Sequence, residues 1–151
     1  MRALIQRVKR CSVSIDGSFH SAIEAGILIL LGVKKGDTPD DAQYLAEKST
    51  QLRIFDDPEG RMNLSVIDVR GSVMVISQFT LYGDTRKGNR PSYTDAAPPP
   101  AAEELYEQFI REVRTLLGEE RVKTGVFRAM MDVELVNDGP VTVMVESKNH
   151  G

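Results

Sequence analysis

The sequence predicts an α+β fold: a mostly antiparallel or mixed, barrel-like β-sheet with two main helices packed on one side. Three observations carry that expectation. About seven or eight stretches have strand patterning, mostly in hairpin order. Only two stretches place apolar residues at helical spacing. No break in composition and no internal repeat divides residues 1–151, so a single domain with one core is expected.

ALIQRV and CSVSI, from Ala3 to Ile15, alternate apolar and polar residues, and Asp16-Gly17 marks a turn into FHSAI. GILILLGV, ending at Val33, is a continuous apolar run that fits a strand buried on both faces. It is far shorter than the roughly 20 residues of a membrane helix. MRALIQRVKR carries charge throughout, unlike a secretory signal. The first helix is expected in GDTPDDAQYLAEKSTQL. Thr38 suits the N-cap, Pro39 the first helical position, and Asp40 and Asp41 the first turn. Ala42, Leu45, Ala46 and Leu52 form its apolar stripe. FDDPEGRMN is turn-rich, and LSVIDV and SVMVISQFTLY return to strand character.

Residues 83–100 form a long irregular segment, of a length that usually carries a role. Its triple proline, Pro98 to Pro100, leads into a second helix, AAEELYEQFIREVRTLLG. Leu105, Phe109, Val113, Leu116 and Leu117 make the apolar face there, Glu107 and Arg111 pair on the wet face, and Gly118 ends it. Strands resume from Arg121 to Ser147. DVELV and VTVMV flank NDGP, read as a hairpin turn on its Asp-Gly pair. Pro140 is the anomaly, because it removes an N–H where the returning strand would pair. A chain so rich in strands must protect its edges, and dimerisation is a common way.

Composition and residue inventory exclude several chemistries. A net charge of −3 argues against general polyanion binding, though local contact is allowed. The one cysteine, Cys11, permits no intrachain disulfide, sits in an alternating strand as a small packed side chain, and points to a reduced, cytoplasmic setting. Of two histidines, His20 adjoins a turn and His150 the C-terminus, so neither suits a catalytic triad. There is no G-x-S-x-G elbow, no metal-ligand spacing and no dinucleotide fingerprint, and GVKKGDT has the wrong spacing for a phosphate loop. No cofactor is expected. Any catalysis must rest on backbone donors, positioning and the substrate itself.

SQFTLY, from Ser77 to Tyr82, is polar where a buried strand should be apolar. Taken by themselves, these hydroxyl and amide groups could equally satisfy backbone groups at a fraying strand end. SQFTLYGDTRKGNRPSY and LVNDGPVT together, with RALIQRV, TGVF and AMMDVELVNDGPVT, resemble the D-aminoacyl-tRNA deacylase family over essentially the whole chain.

The resemblance implies a homodimer with active sites at the subunit interface. It implies hydrolysis of the ester joining a D-amino acid, or glycine, to the 3′-terminal adenosine of a tRNA, as chiral proofreading. Ser77, Gln78, Phe79 and Thr80 would hold the adenosine and the ester, with N–H groups near Phe79 and Thr80 as oxyanion donors. Thr80 as nucleophile and the RNA 2′-hydroxyl as activator are both family views; the scarcity of histidine favours the second. Gly139-Pro140 matches the family's Gly-cisPro motif, contributed by the partner subunit. Arg7 would fix that turn and Met131 would line the pocket. Arg86, Lys87 and Arg90 would touch tRNA phosphates, contacts that position without reading sequence. Arg128 departs from the small residue usual there, and is expected to be a surface change, a rim residue or an RNA contact.

Handedness would follow from the turn. Two carbonyls directed to one side can accept hydrogen bonds from the α-ammonium. A D side chain then points outward, while an L side chain strikes main-chain atoms. The alternatives are a non-hydrolytic tRNA- or nucleic-acid-binding accessory module, and a related deacylase with a trans Gly-Pro bond and different preference.

Overall fold

The alternation near the N-terminus builds one long strand, β1 (Arg2–Ile15), which organises the sheet. The computed structural model describes residues 1–148, so His150 lies outside the described residues. One edge of β1 pairs antiparallel with β3 (Gly26–Gly32), from Arg2↔Gly32 to Val8↔Gly26, and then with β2 (Ser18–Ile23). Its other edge pairs antiparallel with β8 (Met131–Glu146). Beyond β3 the sheet becomes parallel, through β6 (Ser72–Ser77) to β7 (Val122–Thr124). The Ser21 hydroxyl, on β2, donates to the Thr124 carbonyl of β7 at 2.8 Å, so the mixed sheet almost closes on itself. Gly26 is required at the β3–β6 junction, because a Cβ there would lie 1.8 Å from the Ser72 carbonyl oxygen.

Two helices, α1 (Pro39–Gln51) and α2 (Pro99–Leu117), cover one face of the sheet. Phe109, Val113 and Leu45 pack there against Ile5, Ile27, Ile29, Val73 and Val75. The alternate residues Leu28, Met74 and Ile76 join Val8, Cys11 and Val13 in a second, smaller core. Continuous apolar sequence in β3 thus reflects burial on both faces. The start of α1 is built as its sequence suggests. The Thr38 N–H donates to Asp41 Oδ2 at 2.8 Å, and Lys148 pairs with Asp41 at 3.2 Å. Burial would raise the Asp41 carboxyl, but these hydrogen bonds outweigh it and bring it down to about 2.

Three local expectations are corrected. LSVIDV contributes only its first residue to a strand, β5 (Met62–Leu64), which pairs with the two-residue β4 (Phe55–Asp56). The rest is a turn, because the Ser65 N–H donates to Asp68 Oδ2 (2.9 Å) and the Asp68 N–H to Ser65 Oγ (3.1 Å). Such reciprocal side-chain bonds offer the backbone an alternative to a ladder. SVMVISQFTLY is a strand only to Ser77, and Phe79–Tyr82 is a 3-10 turn.

The third correction concerns NDGP, which is no hairpin. β8 runs through it in one direction and stays on the same neighbour, with Val136↔Arg10 before it and Thr142↔Gln6 after it. Residues 138–141 are looped out of that ladder opposite Arg7, an outsized bulge. Asn137 closes the bulge: its Oδ1 accepts the Val141 N–H at 2.7 Å and its Nδ2 donates to the Val141 carbonyl at 3.2 Å. Pro140 therefore sits where the ladder needs no N–H.

Candidate active site

β6 ends at the polar Ser77, Gln78 caps the 3-10 turn that follows, and that turn leads the chain away from the sheet. A cavity of about 860 Å³ opens beside them. Ser77, Gln78, Phe79 and Thr80 line one wall, Phe127 to Met131 another, and Tyr93 with Ala96 to Pro99 a third. β6 and β7 pair in parallel, with Val75 opposite Thr124, which brings the chain after β7 alongside Ser77. The Gly125 N–H completes the join by donating to the Val75 carbonyl at 3.2 Å. Gly125 also admits Met131, whose Sδ would lie 2.6 Å from a Cβ added there. Tyr93 packs edge-on against Phe79, with ring centroids 5.1 Å apart.

The 3-10 turn is anchored from the sheet by Arg2. Its Nη1 donates to the Leu81 carbonyl at 2.9 Å, its guanidinium lies 4.6 Å from the Tyr82 ring centroid, and its Nε bonds Glu146. The Gln78 N–H donates to the Leu31 carbonyl (2.8 Å) and the Leu81 N–H to the Gln78 carbonyl (3.3 Å). The Phe79 and Thr80 N–H groups have no backbone acceptor among the described residues.

The Thr80 hydroxyl accepts a hydrogen bond from the Gln78 side-chain amide at 2.9 Å. An amide N–H is a donor and cannot take a proton from the hydroxyl. Among the described residues, no histidine and no carboxylate lines the cavity. Cys11 offers no thiolate either, since burial pushes its thiol up to about 11.

The second candidate region is built around Arg7, which is buried. Its Nη1 donates to the Ile54 carbonyl at 2.6 Å and its Nε to the Asp138 carbonyl at 2.9 Å. The Asp56 and Asp138 carboxylates lie 3.8 and 3.6 Å away, and the Phe55 ring centroid 5.9 Å from the guanidinium. The bulge that Arg7 holds contains Gly139 at φ +138° and a cis Gly139–Pro140 peptide bond. Neither Arg7, Gly139 nor Pro140 lines the cavity. Within one chain, the expected site residues therefore fall into two separate groups.

The basic loop is a third element. Arg86 binds Asp84 through two guanidinium nitrogens, at 2.9 and 2.6 Å, and those bonds hold the Asp84 carboxyl far below the usual range. Lys87 and Arg90 are exposed and form no ion pair among the described residues. Arg128 lines the cavity itself. Cavity residues that sequence reasoning missed include Tyr93, Pro98, Pro99, Phe127 and Met130. An aromatic and prolines set in a polar loop were the available signal for three of these.

The sequence pattern of the D-Tyr-tRNA(Tyr) deacylase family matches residues 4–146. The chain belongs to that family. Among curated relatives, the D-aminoacyl-tRNA deacylase of Fervidobacterium nodosum is 58% identical over 148 residues, covering 98% of each chain. That of Koribacter versatilis is 56% identical over the same span and coverage. A solved structure of a protein called c-Myc DNA Unwinding Element Binding Protein superposes with a TM-score of 0.95 at 39% identity, covering 99% of this chain and 100% of that one. A second, described as a probable eukaryotic D-amino acid tRNA deacylase, has a TM-score of 0.81 at 16% identity, covering 96% and 98%, and so shares the fold. The deacylase family thus spans both candidate regions.

Proposed function

We propose that the protein hydrolyses the ester bond of D-aminoacyl-tRNA, and of mischarged glycyl-tRNA, and rejects L-aminoacyl groups. The observation that carries this reading is a nucleotide-sized cavity whose polar side chains, apart from the Arg128 guanidinium, are amides and hydroxyls, with no histidine or carboxylate base among the described residues that line it. The terminal adenosine lies against the apolar wall near Phe79. The ester carbonyl oxygen meets the Phe79 and Thr80 N–H groups, which stabilise charge as it develops there. Water, oriented by the RNA 2′-hydroxyl, attacks the carbonyl carbon. The bond to the 3′ oxygen breaks, leaving a D-amino acid and a free 3′-hydroxyl. Thr80 contributes position, because among the described residues its hydroxyl accepts a bond from Gln78 and donates to no base.

The bulge of a second copy of the chain completes the site. Two features support a homodimer: the outer edge of β8 is unpaired among the described residues, and Met130, Val133 and Met144 are exposed on or beside it. Gly139 then brings backbone close to the α-carbon, so an L side chain meets main-chain atoms that cannot rotate away, whereas a D side chain or glycine does not. Lys87 and Arg90 approach the acceptor-end phosphates, with Arg86 contributing less because Asp84 already holds it. The expected setting is the cytoplasm.

Hydrolysis of matched D- and L-aminoacyl-tRNA tests the reading. Rapid release of the D-amino acid with the L ester left intact is expected; equal rates would exclude chiral selection. A non-hydrolytic nucleic-acid module is the second reading. It is favoured by the DNA-binding name of the 39% identical protein and opposed by a net charge of −3. Absence of any deacylation, with retained DNA binding, would select it.

A further inference from the structure

Among the described residues, Arg128 is the one side chain lining the cavity that carries a charge at neutral pH. It is exposed, and its backbone is left-handed, at φ +69°. That conformation is uncommon for a residue with a long side chain, and such outliers concentrate where a site demands them. The segment that holds it is well defined. The Ala129 N–H donates to the Val126 carbonyl at 3.1 Å, closing a turn around Arg128, and the neighbouring Phe127 ring packs 5.7 Å from that of Tyr106.

Three other arginines of the candidate regions and the basic loop are already engaged, while Arg10 and Arg90 do not line the cavity. Arg2 bonds Glu146 and the Leu81 carbonyl, Arg7 bonds two carbonyls, and Arg86 bonds Asp84. Arg128 forms no ion pair and donates no side-chain hydrogen bond among the described residues. An unpaired guanidinium on the wall of a mainly apolar cavity presents a planar fork of donors suited to phosphate.

We infer that Arg128 is a phosphate-binding residue of the cavity, taking the 5′-phosphate of the substrate's 3′-terminal nucleotide. This rests on the deacylase reading for the substrate but not for the anion. An aminoacyl ester has no free carboxylate, and its α-ammonium is repelled by a guanidinium. The phosphate is the only anionic group of a terminal aminoacyl nucleotide. Arg128 therefore also sets direction: the nucleotide lies toward residues 127–129 and the aminoacyl group away from them. Lys87 and Arg90, which do not line the cavity, act on phosphates farther along the strand.

The test compares adenosine 5′-monophosphate with adenosine as calorimetric ligands, and 3′-D-aminoacyl-adenosine with and without its 5′-phosphate as substrates. Wild type should bind and use the phosphorylated forms about tenfold better, as expected for one charge-assisted contact. Arg128→Asn, which tolerates left-handed backbone, should abolish that preference by raising KM for the phosphorylated substrate, with kcat within about twofold. Arg128→Lys should restore part of it. On intact tRNA, Arg128→Asn should flatten the slope of log affinity against log salt by about 0.7. A phosphate preference that survives Arg128→Asn, or equal losses on both substrates, would overturn the inference. Arg128-dependent binding of adenosine 5′-monophosphate without any ester hydrolysis would instead leave it standing and remove the deacylase reading.

Discussion

The wall at Ser77–Thr80 and the bulge at 138–141 are built on opposite principles. The first is an open end: a strand runs out, a 3-10 turn follows, and two N–H groups beside a cavity have no backbone acceptor among the described residues. Its hold on the sheet is peripheral, through Arg2 and the backbone of Leu31. The second is a clamped excursion from a continuous ladder. A buried arginine grips it from below and Asn137 ties its two ends. A surface that receives a ligand can leave donors free. In the proposed function the bulge excludes a ligand by collision, a task that calls for main-chain atoms on buried supports, and the bulge has both. If the two regions act as proposed, selection by rejection takes more internal structure than binding does.

Gly139→Ala should break the comparison most severely. A Cβ there lies 2.8 Å from Val141 Cγ2 and 3.0 Å from the Val141 nitrogen, on a backbone at φ +138°. Turnover of D-aminoacyl-tRNA should fall about 10²-fold or more while the circular dichroism of the fold persists. Unchanged turnover would place the bulge outside the site.

Arg7→Ala should come next, since it strands the Ile54 and Asp138 carbonyls. A loss of about 3 kcal/mol in a denaturation titration is expected, together with lost activity. Arg2→Ala removes a half-exposed anchor and should cost only about 1 kcal/mol, with activity reduced more than stability. Equal costs for the two arginines would mean that the regions are supported alike.

Thr80→Ala should have a small effect, within about fivefold in kcat, because Gln78 donates to that hydroxyl and no described residue accepts from it. A loss of roughly 10⁴-fold or more would identify Thr80 as a nucleophile.

Much of this was legible in the residues, and what was not has physical causes. The cap of α1 is local chemistry, so Thr38-Pro39 with Asp41 could be read directly. Gly118 at φ +94° ending α2 is of the same kind. The continuity of β8 was hidden because Asp138-Gly139 locally favours a hairpin, while the ladder with β1 that overrides it is a long-range contact. LSVIDV misled through its apolar alternation, which the Ser65–Asp68 bonds defeat. In the site, the motif residues were visible as polar interruptions and an unexpected proline. Their partners in the cavity were not, since the parallel β6–β7 pairing that brings Phe127 to Met131 beside Ser77 leaves no mark in local sequence. Nor could sequence distinguish Arg128, on the cavity wall, from Arg86, spent on Asp84.

The central claim is that the open wall of one copy and the clamped bulge of another make one site. Mixed dimers test it most directly. One subunit would carry Gly139→Ala and the other Phe79→Ala, with separate tags to purify only the mixed species. Each parent should be nearly inactive. The mixed dimer keeps one intact composite site of two, so about half of wild-type D-aminoacyl-tRNA hydrolysis is expected. Activity no higher than that of the parents would contradict the account.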